Sequence, residues 1–408
     1  MKRHGLAALS FIALLFVAQA SAQWTTTNGP ISGNKTGCLL ASGSNLFAGT
    51  DSGGVFLTAN SGASWNPMNT NLTERYVWAF AISSTNLFAG TSGGVFLSTN
   101  NGSSWSPATS GMGGIGVSAF AVSGANLYAG TNNGVYVSTN NGTSWKSVKS
   151  GLTNTTVRAL AIADTNFFAG TLGGGVFLST NGGTKWNAVN SNLGNTSIHA
   201  LAFSGKNLFA ATGDGVYLST DLGTSWSSVS VGLESAGAVY ALQVAGTNLF
   251  AGTWVGSVFL STNNGTSWNS VSTGLVNPGP IRAFAMSGTA LYVGVTNNGV
   301  WSRILSEMVS RSVAAPHGDE PSTCTLSQNY PNPFNPTTTI AYDLSKASQV
   351  RLAVYDLLGR AVQTLVNESK QPGRYEAVFN ATNLASGVYL YRLQAGSFVQ
   401  TRKLCLER

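Results

Sequence analysis

"STNNGTSW" occupies residues 138–145 and returns unchanged at 261–268. Close relatives stand at 98–105 (STNNGSSW), 179–186 (STNGGTKW) and 219–226 (STDLGTSW), with a weaker one at 58–65 (TANSGASW). The tryptophans that end them, Trp65, Trp105, Trp145, Trp186, Trp226 and Trp268, are spaced by 40, 40, 41, 40 and 42 residues. A fixed period of this length marks a chain of stacked supersecondary units. The octapeptide is then either a site used repeatedly or a piece of scaffold.

A second phrase precedes each copy. It reads NLFAGT at 45–50, 86–91 and 248–253, NLYAGT at 126–131, NFFAGT at 166–171 and NLFAAT at 207–212, with ALYVGV at 290–295. One unit, residues 157–189, spells VRALAIA, NFFAGT, GVFLST and KWNAV, four strand-like runs joined by Gly and Asn. Four strands in about 40 residues is the plan of a propeller blade. The first run, Val77 to Ile82 in one copy, has a face of alanines and a face of large apolar groups. Both faces must be covered, and radial stacking of blades covers them.

The last unit ends at Asn297-Asn298-Gly299-Val300-Trp301 without its octapeptide. Its fourth strand is found at the other end of the chain. Gln23-Trp24-Thr25-Thr26-Thr27-Asn28-Gly29 resembles Trp268 to Gly274, and Trp24 precedes Trp65 by 41 residues, one period. Closing the ring this way removes open sheet edges. The expected fold is all-β: a seven-bladed β-propeller over 23–303 closed by the N-terminal strand, a linker at 304–325, and a small Ig-like β-sandwich at 326–408.

Composition agrees. Of 408 residues only 9% are charged, 10% are aromatic and 49 are Gly, against roughly 25% charged in an ordinary soluble domain. The net charge is +7, spread without a basic stripe; nucleic acid is not an expected partner. Lys2, Arg3 and His4, the apolar run Leu6 to Val17, and Ala20-Ser21-Ala22 read as a secretory signal peptide over 1–22. With no second apolar run of spanning length, no transmembrane segment is expected, and the mature chain is read as an exported, soluble monomer. Cys38 stands where other repeats have Ala and is expected to be a small buried residue. Cys324 and Cys405 flank the C-terminal domain, and the sequence leaves open whether they pair.

The octapeptide resembles the Asp-box, S-x-D-x-G-x-[ST]-W, of the BNR repeat families, with Asn in place of Asp in most copies. Asn60, Asn100, Asn140, Asn181, Asp221 and Asn263 hold the acidic position; each side chain can bond nearby backbone N–H groups and fix a turn. The tryptophan is expected to cap the packing, its N–H finding a local acceptor. A residue repeated in every blade builds the blade. The resemblance covers 24–303 and is shared by sialidases, sortilin-type receptors, xyloglucanases and photosystem assembly-factor-like propellers. It implies architecture and leaves function open.

Positions that differ between blades are therefore the informative ones. Near the start of the innermost strand one position reads Gly37, Trp78, Ser118, Arg158, His199, Tyr240 and Arg282. Innermost strands of propellers line the central channel. Unlike side chains at one symmetric position make an asymmetric binding ring, to which Arg75, Tyr76 and Trp254 on nearby loops are added as candidates. Aromatic rings beside Arg and His suit a glycan or a protein anchor. The bland alternative is a solvated rim of drifting residues.

The expected role is noncatalytic binding or scaffolding outside the cell; the alternative is a glycoside hydrolase of sialidase or xyloglucanase type. Arg75, Arg158 and Arg282 imitate the sialidase arginines, but the Arg-Ile-Pro element is absent and no Tyr–Glu pair can be assigned. Hydrolysis of xyloglucanase type needs two carboxylates across a cleft, and Asp51 with Asp214 is the pair to test. No His/Cys spacing suggests a metal, and no cofactor is expected.

At the C-terminus QNYPNPFNPTT (328–338), VYDLLGR (354–360) and LASGVYLYRL (384–393) follow in order, among strand-like runs at 338–344, 349–355, 360–366, 374–379, 387–394 and 397–405. This series resembles the type A sorting domain of type IX secretion, and is similar to the Ig-like domain of flagellar hook-capping proteins. The resemblance implies export across the outer membrane and a partner in the type IX secretion machinery, with the product secreted or held at the cell surface.

Overall fold

The computed structural model describes residues 23–27, 29, 35–312, 323–329 and 332–407. The signal peptide assigned to 1–22 and the Pro316-centred part of the linker lie outside them.

Among the described residues the repeats fold into seven four-stranded antiparallel sheets of one design. One sheet runs Val157–Ala163, Asn166–Thr171, Gly175–Ser179, Asn187–Ala188 in spatial as in chain order. The exception is the sheet of Ile281–Ser287, Ala290–Val295 and Gly299–Ile304, whose outer strand is Thr25–Thr26, paired with Trp301 and Ser302. Neighbouring sheets meet through the second strand. A Cβ on Gly130 would strike Val157, one on Gly252 would strike Ile281, and one on Gly294 would strike Thr36 of the first repeat. The glycine of the NLFAGT phrase is thus the hole into which the next repeat inserts a β-branched residue.

The octapeptide is scaffold. In residues 138–145, the Asn140 Oδ1 accepts the Ser144 amide at 3.0 Å, and Ser138 Oγ accepts the Gly142 amide at 2.8 Å. The same oxygen position accepts the amide four residues on at Asn60, Asn100, Asn181, Asp221 and Asn263. Amide and carboxylate serve equally because the turn needs an acceptor at that point. Asp221 adds a bond from the Ser225 hydroxyl, which with the Ser225 amide holds its carboxyl below the usual range.

The tryptophans do more than cap their own turn. The indole N–H of Trp105, Trp145, Trp186, Trp226 and Trp268 donates to a carbonyl of the preceding sheet, at 2.7–2.8 Å and 37–39 residues upstream. Trp24 reaches Val271 in the same way, and Trp65 reaches the Thr27 hydroxyl. The expected local acceptor is therefore an inter-sheet one, and the octapeptide locks each sheet to its neighbour. The backbone follows the side chain: the Trp145 amide donates to the Ser110 carbonyl. At Gly111, φ is 81° and a Cβ would collide with the Trp145 carbonyl, so the seam requires glycine there. Trp145→Phe keeps an aromatic ring, though a smaller one, and strands the Ala108 carbonyl. Urea unfolding should show a loss of about 1–3 kcal/mol; an unchanged midpoint would mean that water replaces the bond.

Residues 305–312, read from sequence as linker, form the helix Leu305–Ser312. Met308 is fully buried, and Leu305 and Val309 pack on the cluster that holds Trp24, Phe250 and Trp301. Their i, i+3, i+4 spacing gives the helix one apolar face, which extends the repeat body beyond residue 303.

Beyond it, Thr325–Leu326, Thr337–Leu344 and Gly373–Asn380 make one sheet, and Ala361–Lys370, Ser348–Tyr355, Gly387–Ala395 and Phe398–Leu406 another. The sheets share one core that includes Ile340, Tyr342, Leu352, Phe379, Tyr391 and Leu404. Cys324 and Cys405 are free thiols, with Cys324 Sγ 3.3 Å from Ser345 Oγ.

Candidate ligand-binding site

Each innermost strand begins with a β-branched residue and then slips register by one residue. The slip falls between Thr36 and Cys38, Val77 and Ala79, Val117 and Ala119, Val157 and Ala159, Ile198 and Ala200, Val239 and Ala241, and Ile281 and Ala283. The unpaired residue in each bulge is the one that varies: Gly37, Trp78, Ser118, Arg158, His199, Tyr240 or Arg282. A bulge re-aims its side chain out of the ladder. All seven line one cavity of about 690 Å³. Below them the wall is a layer of alanines, with Cys38 in the first repeat, and then a layer of Leu and Phe. Cys38 is buried as expected, and desolvation pushes its thiol far up the scale.

The ring is polarised. His199 stacks on Tyr240 with centroids 4.3 Å apart and planes 18° from parallel. Tyr240 also meets Trp254 at 5.4 Å, and the Arg282 guanidinium lies 5.9 Å from the Tyr240 centroid. Burial, then the charges of Arg158 and Arg282, hold the His199 imidazole below its usual pKa, so it is neutral at pH 7 and offers one donor and one acceptor. Among the described residues neither Arg158 nor Arg282 forms an ion pair with a carboxylate. Across the ring Gly37 and Ser118 leave space, and Trp78 is 37% exposed. The arrangement is a cationic, aromatic crescent beside an open half.

Not every candidate joins it. Trp254 reaches the crescent through Tyr240, half exposed. Arg75 and Tyr76 stand exposed on their loop, outside the cavity wall. Asp51 lines the cavity and Asp214 does not. The Asp214 carboxylate is held in its own hairpin by the Thr212 hydroxyl at 2.7 Å and the Tyr217 hydroxyl at 3.3 Å. The wall also contains Leu172, 40% exposed, which directly follows the NFFAGT phrase as Asp51 and Trp254 follow theirs, and which sequence reasoning passes over for lack of a polar or aromatic side chain.

Residues 328–407 match the family model of the secretion system C-terminal sorting domain. The chain carries a type IX sorting tail. It is exported across the outer membrane to the cell surface or the extracellular space, and no helix of the described residues is long and apolar enough to cross a membrane. No curated protein matches the chain. Among solved structures, YCF48 from Cyanidioschyzon merolae is 16% identical with a TM-score of 0.55, covering 70% of this chain and 99% of that one. PorZ, a surface component of the type IX secretion system of Porphyromonas gingivalis, is 15% identical with a TM-score of 0.52, over 94% of this chain and 61% of PorZ. The GH74 xyloglucanase of Xanthomonas campestris is 16% identical with a TM-score of 0.53, over 79% of this chain and 59% of the enzyme. At these identities the likeness concerns the fold, a β-propeller of repeated four-strand sheets.

Proposed function

We propose that the sorting-tailed chain is a secreted, noncatalytic binding protein. Its repeats form a seven-bladed propeller closed by the N-terminal strand, followed by an Ig-like sorting domain. The ligand is a carboxylate-bearing glycan, or an acidic segment of a protein, held over the central cavity. The observation that carries this reading is the pair of arginines without carboxylate partners, Arg158 and Arg282, flanking the stacked His199 and Tyr240. Guanidinium groups bind carboxylates in bidentate geometry, and the exposed rings of Trp254, beside the crescent, and Trp78, across the cavity, suit the apolar side of a sugar. A binding role is favoured over hydrolysis because Asp214 is engaged outside the cavity, leaving Asp51 without a second carboxylate in the wall. Ring closure is supported by the pairing of Thr25–Thr26 with Trp301–Ser302 and by the approach of Gly294 to Thr36.

The test is an array of acidic and neutral polysaccharides and acidic peptides, probed with the secreted chain and with its Trp78→Ala and Arg158→Ala variants. Acidic glycans should be retained, with binding weakened in both variants. Turnover of a glycan that depends on Asp51 would establish the hydrolase instead, and retention of acidic peptides alone would move the ligand class to protein.

A further inference from the structure

The three phrases that mark the sorting tail are far apart in sequence and meet at one end of one sheet. Strand Ser348–Tyr355 pairs antiparallel with Gly387–Ala395, matching Tyr355 to Leu390, so the turn at 356–360 lies beside the start of the second strand. Gly387 pairs with Leu406, and Phe334 bridges to Leu406 on the far side. The Phe334 amide donates to the Cys405 carbonyl, and Asn332 Oδ1 accepts the Cys405 amide. The same end holds a groove of about 410 Å³ between Val362, Gln363 and the Asn380–Leu384 turn.

At this end the turn Asp356-Leu357-Leu358-Gly359-Arg360 displays two leucines that are 67% and 80% exposed and lie outside the domain's core. They are held rigidly. Asp356 Oδ1 accepts the amides of Leu358 and Arg360 at 3.0 and 2.9 Å, and Oδ2 accepts Arg360 Nε at 2.7 Å. The turn therefore engages its own carboxylate and offers a fixed apolar tip, with the Arg360 guanidinium exposed at its edge. A polar tip would serve a solvated turn better, and paired, preordered leucines suit an apolar pocket.

We propose that this end, led by Leu357 and Leu358, is the surface by which the outer-membrane sorting machinery reads the chain, through an apolar pocket. The occupant follows from the match of 328–407 to a sorting domain, and the two exposed leucines fit an apolar pocket whose rim leaves room for the Arg360 guanidinium, 75% exposed.

The experiment uses the full chain in a host with an active type IX system, measuring the fraction exported and the fraction retained inside the outer membrane. L357N/L358N should lose about tenfold in export and accumulate inside. L357M/L358M should export normally. V399S, which removes another exposed apolar group (56%) at the opposite end of the sheet, should also export normally. If the double variant melts early, L358N alone decides in its place. Normal export of the folded leucine variant would overturn the proposal, as it would if the leucines served self-association or docked on the repeats. An equal loss in V399S would overturn it too, by showing a general demand for apolar surface.

Discussion

A chain lacking residues 23–29 will unfold about 10 °C below the intact protein. The segment is short, but its contacts are concentrated. Trp24 is 2% exposed and sits in one core with Phe250, Ile281 and Trp301. Its indole and amide donate to the carbonyls of Val271 and Thr273, and the Thr27 amide and hydroxyl both donate to Val300. Thr27 in turn accepts the indole of Trp65, tying the last sheet to the first. Losing a buried tryptophan alone costs about 3–5 kcal/mol. Deletion also strands the carbonyl of Val300, leaves that of Val271 with its Arg303 bond alone, and bares the edge of Gly299–Ile304. At roughly 2–4 °C per kcal/mol for a body of this size, the shift is large enough for calorimetry to read directly. A melt identical to that of the intact chain would show that the segment does not close the ring.

Much of the architecture is legible because it is repeated. A single octapeptide is ambiguous; copies at a fixed period fix the strand count per unit, and the constant Gly of NLFAGT marks where sheets meet. The variable position is found by the same logic, and the structure places all seven of its residues in one cavity wall. What alignment within a repeat cannot supply is contact between repeats. The indole N–H of Trp145 has acceptors nearby in sequence, yet bonds to Ala108 of the preceding sheet, because stacking brings that carbonyl within 2.8 Å. The stacking of His199 on Tyr240 likewise depends on the angle between neighbouring sheets. The helix at 305–312 was readable: Leu305, Met308 and Val309 have helical spacing, but a short run after a broken repeat resembles linker until its apolar face finds a partner. Asp51 and Asp214 lie in equivalent hairpins but at different positions: Asp51 directly follows Thr50, whereas Asp214 stands two residues after Thr212, where Tyr217 and Thr212 claim its carboxylate.

Replacing both Arg158 and Arg282 by Ala should lower affinity for an acidic glycan by about 100-fold or more. A charge-assisted hydrogen bond contributes about 1.5–3 kcal/mol, and each tenfold in affinity is about 1.4 kcal/mol. Added salt should weaken the intact protein and leave the double variant nearly indifferent, because the removed term is the coulombic one. His199 supplies a readout independent of ligand. Its imidazole is held down first by burial and then by the two arginines. Removing those positive charges favours the protonated form, so its pKa, followed by NMR, should rise towards the ordinary value of about 6.5 and stop short of it, since burial remains. The two measurements separate the possible failures. A raised His199 pKa with undiminished glycan affinity would mean that the arginines face the imidazole but not the ligand. An unmoved pKa would mean that the crescent itself is not assembled as described, and the binding reading would fall with it.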